Sequence, residues 1–463
     1  MRVSHAVSQL SVAFDDPNLV SCAGLVPALR LASRTGLAEL VAGHVRVPGV
    51  AGANPHLKVP ALVAGMIAGA DSIDDMDLLR HGGTGRLFTG IRAPSTLGIF
   101  LRAFTFGHVR QLDAVASRLL ARLAAEAPLI PEAEQISYLD FDDTVAPVYG
   151  SAKQGAGRGY TGIKGLNAFI ATVSTPAGAP VITATRLRRG NVYSVRGGVK
   201  MVADAIAVAR RCGATGSMIM RADSAFYARE VIAAARRAGV RFSVTARLYP
   251  SVVKAIDSIS ETAWTPIRYA DAVFDQAEQR WISDAEIAET PFAAFTSHRH
   301  PVGSHIPGRL IVRRIKRLNK LHGTGQEELF PSYQHYAVFT DTDLPMMEAE
   351  ACHRGHAIIE QVFADLKAGP LAHLPSGSFA ANSAWLVLAA MAFNLTRAAG
   401  TLASAFHAKA TTATIRRQLI SIPARLARSA RRLVLHLPVR WPWQSAWQQL
   451  FTRTCGPPHS IPC

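Results

Sequence analysis

Three carboxylates crowd the segment Leu139-Asp140-Phe141-Asp142-Asp143-Thr144. On an extended strand Asp140 and Asp142 point to one face and Asp143 to the other. Carboxylates packed this closely after an apolar run are costly to hold unless a cation neutralises them, so the cluster reads as a metal site. Asp140, Asp142 and Asp143 all remain open as its first ligand. Asp223 ends a second apolar run, Ser217 to Met220 followed by Arg221-Ala222, and can both cap the next helix and hold a metal. The third acid is Glu360. At helical spacing His353, His356, Glu360 and Lys367 share one stripe, beside an apolar face of Ile359, Val362, Phe363 and Leu366. One acid among bases suits a metal ligand flanked by groups that grip phosphate.

The elements that must position these residues can be read around them. Ile136 to Phe141 is a short strand ending in the acids. A glycine-rich loop, Gly150 to Gly165, follows, and strands Ala168 to Ser174 and Val181 to Leu187 meet at the turn Thr175-Pro176-Ala177-Gly178. Helix Val199 to Arg211, strand Ser217 to Met220, helix Ala225 to Ala238 and strand Arg241 to Ala246 come next. Three strands, then helix, strand, helix, strand is the order of a ribonuclease-H-like α/β core, with both acidic sites at strand ends. Residues 249–348 read as a β-rich insertion, with pieces at Trp264 to Tyr269, Leu310 to Ile315 and Tyr336 to Phe339. A long helix over Gly355 to Lys367 then resumes the core. The expected architecture is therefore a helical N-terminal domain (1–130), a mixed-sheet core in two parts (131–248 and 349–400) split by the insertion, and a basic helical C-terminal segment (401–463).

The N-terminal region contains a helix–turn–helix pair, Leu25 to Arg34 and Leu37 to Val45 across Thr35-Gly36. A further helix follows Pro94 through Leu97-Gly98-Ile99-Phe100. Arg92, Ser95, Thr96 and Arg102 are its candidate DNA contacts. The chain of 463 residues carries a formal charge of +17 and is 49% hydrophobic, which allows several domains and indicates a polyanionic partner. After Asp365 no acidic residue remains, while eleven Lys and Arg follow, from Lys367 to Arg453. Arg425, Arg428 and Arg432 in this stretch are candidate phosphate contacts. Five scattered cysteines without a CxxC pair give no zinc site or disulfide framework and fit a reducing cytoplasm. The opening residues are not a signal peptide. The most apolar window, Trp385 to Leu395, is shorter than the ~20 residues of a membrane span, so a soluble protein with no membrane partner is expected.

These residues carry a resemblance. Leu139 to Asn167 (LDFDDTVAPVYGSAKQGAGRGYTGIKGLN), Ile219 to Tyr227 (IMRADSAFY) and Glu360 to Lys367 (EQVFADLK) resemble the DDE transposases of bacterial insertion sequences. Within these they resemble the group with a β-rich insertion before the glutamate, and most nearly the insertion-sequence family thirteen-eighty. The resemblance implies a catalytic triad of Asp142, Asp223 and Glu360, with Lys367 binding phosphate beside Glu360. It also implies two Mg²⁺ ions about 4 Å apart, for which Mn²⁺ can substitute, with Asp140 as a further ligand. Arg354, His356 and Lys164 are additional phosphate-binding candidates. Arg354 stands six residues before Glu360, out of the register such enzymes show, and Asp143 replaces a usual small hydroxyl residue.

The implied reaction cuts the element's ends and joins the freed 3′-OH to target DNA. Terminal inverted repeats and target DNA would be the partners, bound by a homodimer in a bacterial cytoplasm, close to the nucleoid. The basic run Arg309 to Lys320 is a candidate DNA-facing strand, and Trp264 and Trp281 are candidate stacking platforms. Two rivals stand beside this reading. Asp140-Phe141-Asp142-Asp143-Thr144 also matches the DxDxT motif of haloacid-dehalogenase-like Mg²⁺-dependent phosphatases, with Asp140 as nucleophile. A catalytically inactive DNA-binding protein is the other.

Overall fold

A computed structural model describes the chain except residues 1–8, 151, 160, 268–273, 277–279, 282–284, 298–303, 317–332, 430–431 and 458–463. It divides into two compact units, Leu120–Lys367 and Met1–Leu119 with Ala368–Cys463.

The first unit is built on one mixed sheet. Its leading strands are β1 (Ile136–Pro147), β2 (Lys164–Ser174) and β3 (Val181–Arg189), then β4 (Ser217–Ala222) and β5 (Arg241–Thr245). Helix α1 (Gly198–Arg211) precedes β4, and α2 (Arg229–Arg237) precedes β5. The lateral order is β3-β2-β1-β4-β5: β2 is antiparallel to both β1 and β3, while β1, β4 and β5 run parallel. The chain thus builds outward on one side of β1 and then crosses to the other, so β1 and β4 flank the switch point. From Gly165 to Ser174 every residue of β2 is buried, as expected of a strand covered on both faces.

The structure lengthens and corrects several elements. β1 continues to Pro147 because β2 pairs with it all the way to Gly165, so the acids lie inside the strand, not at its end. A single 3-10 turn, Ser224–Phe226, separates Asp223 from α2, which starts only at Arg229. The insertion does not stand apart. β6 (Ala285–Ala294), β7 (Ile306–Lys316) and β8 (Tyr333–Thr340) extend the same sheet, with Ser243, Val244 and Thr245 of β5 paired antiparallel to Thr340, Phe339 and Val338. Among the described residues the sheet has ten strands. The expected long helix over 355–367 begins as a 3-10 turn at Gly355–Ala357 and becomes α-helical only in α4 (Ile358–Lys367), and a separate helix, α3 (Met346–Arg354), precedes the turn.

The second unit is mainly helical. Leu25–Arg34 and Leu37–His44 form the expected helix–turn–helix, with Gly36 in the left-handed conformation (φ 70°) that reverses the chain at little steric cost. Residues 368–400, expected from the sequence to belong with the core, group with this unit. Helix Phe379–Ala403 has no polar stripe and is buried along almost its whole length, so it needs cover on every side. Pro55–Ala68 and Gln444–Cys455 supply that cover. The helix is long and apolar enough to cross a membrane by length and composition alone, yet 94% of its most apolar window is buried. The C-terminal segment is not purely helical either. Ala424–Ser429 and Arg432–His436 pair antiparallel, and Leu19–Val20 adds a third short strand.

Candidate active site

The register of β1 on β4 brings two acids together. The last parallel pair is Phe141 with Ala222, so Asp142 and Asp223 are the next residues on adjacent strands, at the carboxyl end of the switch point. Neighbouring strands lie about 4.8 Å apart, close enough for two carboxylates to feel each other. Burial, and then Asp223 beside it, pushes Asp142 up to about 7. Burial raises Asp223 as well, against the opposing pull of the Ala225 amide, which donates to its Oδ1 at 2.9 Å. Asp223 therefore does cap the following turn, and does so with one oxygen. Asp142 accepts from the backbone N–H of Asp143 at 2.7 Å. Among the described residues no Lys or Arg side chain bonds to either acid.

The neighbouring acids differ sharply. Asp140 is fully buried, and both its oxygens are taken by Arg221, through Nε and Nη2 at 2.7 Å each. His356 Nδ1 donates to Asp140 Oδ1 at 3.0 Å. Burial alone would raise Asp140, but Arg221 and His356 hold it below the usual carboxylate range. Asp143 faces the other side of the sheet, where Arg188 Nη2 bonds to it. That guanidinium also lies 4.4 Å from the Phe169 ring centre and donates to Asn167, and to the Ser194 and Arg196 carbonyls. Of the three acids left open by the sequence, two are thus paired with arginine, while Asp142 has no Lys or Arg bonded to it among the described residues and feels only the nearby His356 ring as an opposing influence. Asp140, expected as a further metal ligand, already accepts three hydrogen bonds, from Arg221 and His356.

Glu360 is exposed on α4. That helix is fastened along β1 at both ends, by His356 on Asp140 and by Lys367 Nζ, which donates to Thr144 Oγ1 at 2.6 Å. Glu360 lies between these anchors on the same stripe. Among the described residues no three His, Cys, Asp or Glu side chains stand close enough together to hold a metal ion. Asp142 and Asp223 are brought together on adjacent strands, and Glu360 stands on α4 without completing a three-residue group with them. His353 leaves the expected stripe, because the 3-10 turn shifts the helical phase. It is buried between Ser243 Oγ and Thr245 Oγ1, 2.9 Å from each, and burial lowers it to about 3, so it is a neutral structural histidine.

The other candidates are scattered. Arg354 pairs with Glu350 at 2.9 Å, and Lys164 Nζ donates to the Gly150 carbonyl at 2.7 Å. Arg102 is exposed and Arg92 half-buried in the helical unit, with Ser95 and Thr96 in the first turn of Pro94–Arg102. Arg428 and Arg432 are exposed on the C-terminal hairpin, whereas Arg425 pairs with Asp16 at 3.1 Å. Strand β7 does not present a bare basic face. Arg309 bonds to Glu289, Arg313 to Glu350 and Arg314 to Glu261 and Glu286, so its three arginines are paired within the unit, while Lys316 at its end is exposed. Residues 317–320 of that run fall outside the described residues. Arg314 also covers the Trp264 ring at 4.1 Å, and the side chain of Trp281 is outside those described.

Sequence reasoning missed the two arginines that sort the acids. A signal existed for one: Asp140-x-Asp142 and Arg221-x-Asp223 have the same two-residue spacing on adjacent strands. Arg188 carries no such mark within the basic Arg186 to Arg189 run.

Two carboxylates held side by side with no lysine or arginine bonded to them among the described residues are the chemistry of a cation-binding donor set. A family model described as Transposase DDE domain group 1 matches residues 4–455. No individual curated protein matches the chain. A match over nearly the whole length, with a pair of strand-borne aspartates at its centre, makes this chain a member of the transposase DDE domain family, group 1.

Proposed function

We propose that the protein is an active insertion-sequence transposase of the thirteen-eighty type, which cuts the ends of its element and joins them to target DNA. The observation that carries this reading is the Asp142–Asp223 pair, raised together at the switch point of the sheet with no Lys or Arg bonded to either acid among the described residues. In support of a ribonuclease-H-like core stands the order β3-β2-β1-β4-β5 with β2 antiparallel.

Asp142 and Asp223 are the proposed metal-holding pair, with Glu360 as the third ligand. Two divalent cations, Mg²⁺ or in its place Mn²⁺, would supply charge neutralisation at the scissile phosphate and lower the pKa of the attacking hydroxyl. The chain's own groups do the rest. Asp142 and Asp223 accept positive charge at the carboxyl end of the β1–β4 pair, with Arg221 and Arg188 holding the acids behind and beside them in place. Lys367, at the far end of α4, is exposed and set to meet a phosphate oxygen. His356 is held through Nδ1 by Asp140, which leaves Nε2 as its other hydrogen-bonding group.

End recognition falls to the helical unit, with Arg92 and Arg102, and to the exposed Arg428 and Arg432 of the hairpin. Arg425 is the weaker candidate, because Asp16 already pairs with it. Two DNA ends held together call for a homodimer on DNA, in a cytoplasmic, nucleoid-associated setting. The test is a strand-transfer assay on DNA carrying the element's terminal inverted repeats with Mg²⁺. Cutting and joining that disappear in Asp223→Ala and Glu360→Ala support the reading; activity that survives both substitutions sinks it.

A further inference from the structure

Behind the Asp142–Asp223 pair stands a second cross-strand pair of opposite kind. Asp140 and Arg221 are register partners on β1 and β4, each two residues before a proposed ligand. Their side chains are 0% and 4% exposed. Arg221 spends two nitrogens on Asp140, and its third, Nη1, donates to the Cys352 carbonyl at 2.8 Å in the last turn of α3. The guanidinium also lies 4.2 Å from the Tyr138 ring centre, which fixes its plane. Asp140 in turn holds His356. Two routes therefore run from the aspartate strands to the segment Cys352–His356, immediately before the helix that carries Glu360.

Stability alone does not account for this arrangement, since a buried ion pair is often no better than an apolar pair of similar volume. We propose that Arg221 is a positioning residue of the reaction. Gripping Cys352 directly and His356 through Asp140, it sets where α4 presents Glu360 relative to Asp142 and Asp223. The inference rests on the reading of those three acids as the metal-holding set. Gly355 agrees with it. Its backbone is ordinarily helical (φ −58°), so glycine is not required by conformation. A Cβ there would stand 2.6 Å from Arg221 Nη1, so the missing side chain leaves room for the guanidinium.

Two variants test the clamp in the full-length protein. Arg221→Lys keeps the charge but loses the fork that reaches two partners at once. Gly355→Ala leaves every charge in place and displaces the guanidinium sterically. The measurements are the metal-free melting temperature, Mn²⁺ affinity from the electron paramagnetic resonance of free Mn²⁺, and single-turnover cutting of inverted-repeat DNA. Each variant is also combined with Glu360→Gln. Both should weaken Mn²⁺ binding and cutting by on the order of 10-fold or more. Added to Glu360→Gln, either should cost little further, because the two act through one group. Wild-type Mn²⁺ affinity and cutting in these variants, or losses that multiply with that of Glu360→Gln, overturn the inference. If Arg221→Lys does not fold, Gly355→Ala decides by the same criteria. A wild-type protein that neither binds Mn²⁺ nor cuts overturns the proposed function itself.

Discussion

Replacing Asp142 by Asn should stabilise the metal-free protein at alkaline pH, which is unusual for a buried residue at the centre of a site. Asp142 stands at about 7 in the folded chain against 3.8 for an ordinary aspartate. The folded state therefore holds a proton that the unfolded chain has already released. Its stabilising share is complete below pH 4 and is lost as pH rises through 7. A tenfold difference in proton affinity corresponds to about 1.4 kcal/mol, so by pH 8 the ionised pair costs the fold about 4 kcal/mol at most. Partial solvent contact halves this, to about 2 kcal/mol. Asn keeps an Oδ1 for the Asp143 amide, so the existing 2.7 Å bond survives. The assay is thermal unfolding with chelator at pH 5 and pH 8. Asn should raise the melting temperature by roughly 4–8 °C at pH 8, and much less at pH 5. With Mg²⁺ the wild type should recover the difference and the variant should not. A variant less stable than wild type at pH 8, or equally shifted at both pH values, refutes the reasoning.

Asp140→Asn should do the opposite, costing about 3–5 kcal/mol in urea unfolding, because it leaves Arg221 buried without its partner. His353, held near 3, should remain neutral at pH 5 in its NMR ring shifts, and stability should fall as pH drops from 6.5 toward 3. A charged ring at pH 5 would contradict that placement. In DNA-binding titrations against salt, removing Arg428 or Arg432 should lower the log–log slope by about 1 each. Arg314→Ala should leave the slope unchanged, since Glu261 and Glu286 already neutralise that side chain.

Much of the core could be read from local pattern. The runs at 136–141, 168–174, 181–187 and 217–220 all became strands, since apolar and β-branched stretches bounded by turn residues declare themselves locally. Asp223 was equally legible, standing alone at the end of such a run. What stayed hidden depended on partners distant in the chain. Asp140 meets Arg221 across 81 residues and Asp143 meets Arg188 across 45, so no local rule could say which two of the three acids pair with arginine. The basic look of β7 misled for the same reason, because Glu261 lies 53 residues from Arg314. His353 was misplaced by a different cause. Helical periodicity carries no trace of a 3-10 turn, and Gly355–Ala357 rotated the stripe away from it. Helix Phe379–Ala403 is apolar all round, a pattern that states it will be covered without stating by what.

The central claim is that Asp142 and Asp223 hold the metal that cuts DNA, and exchanging each for cysteine tests it most directly. A thiolate binds Mg²⁺ poorly and softer Mn²⁺ better. Single-turnover cutting of inverted-repeat DNA by Asp142→Cys and Asp223→Cys should be lost in Mg²⁺ and restored, at least in part, by Mn²⁺. Cutting at the wild-type rate in Mg²⁺ by either variant would contradict the account.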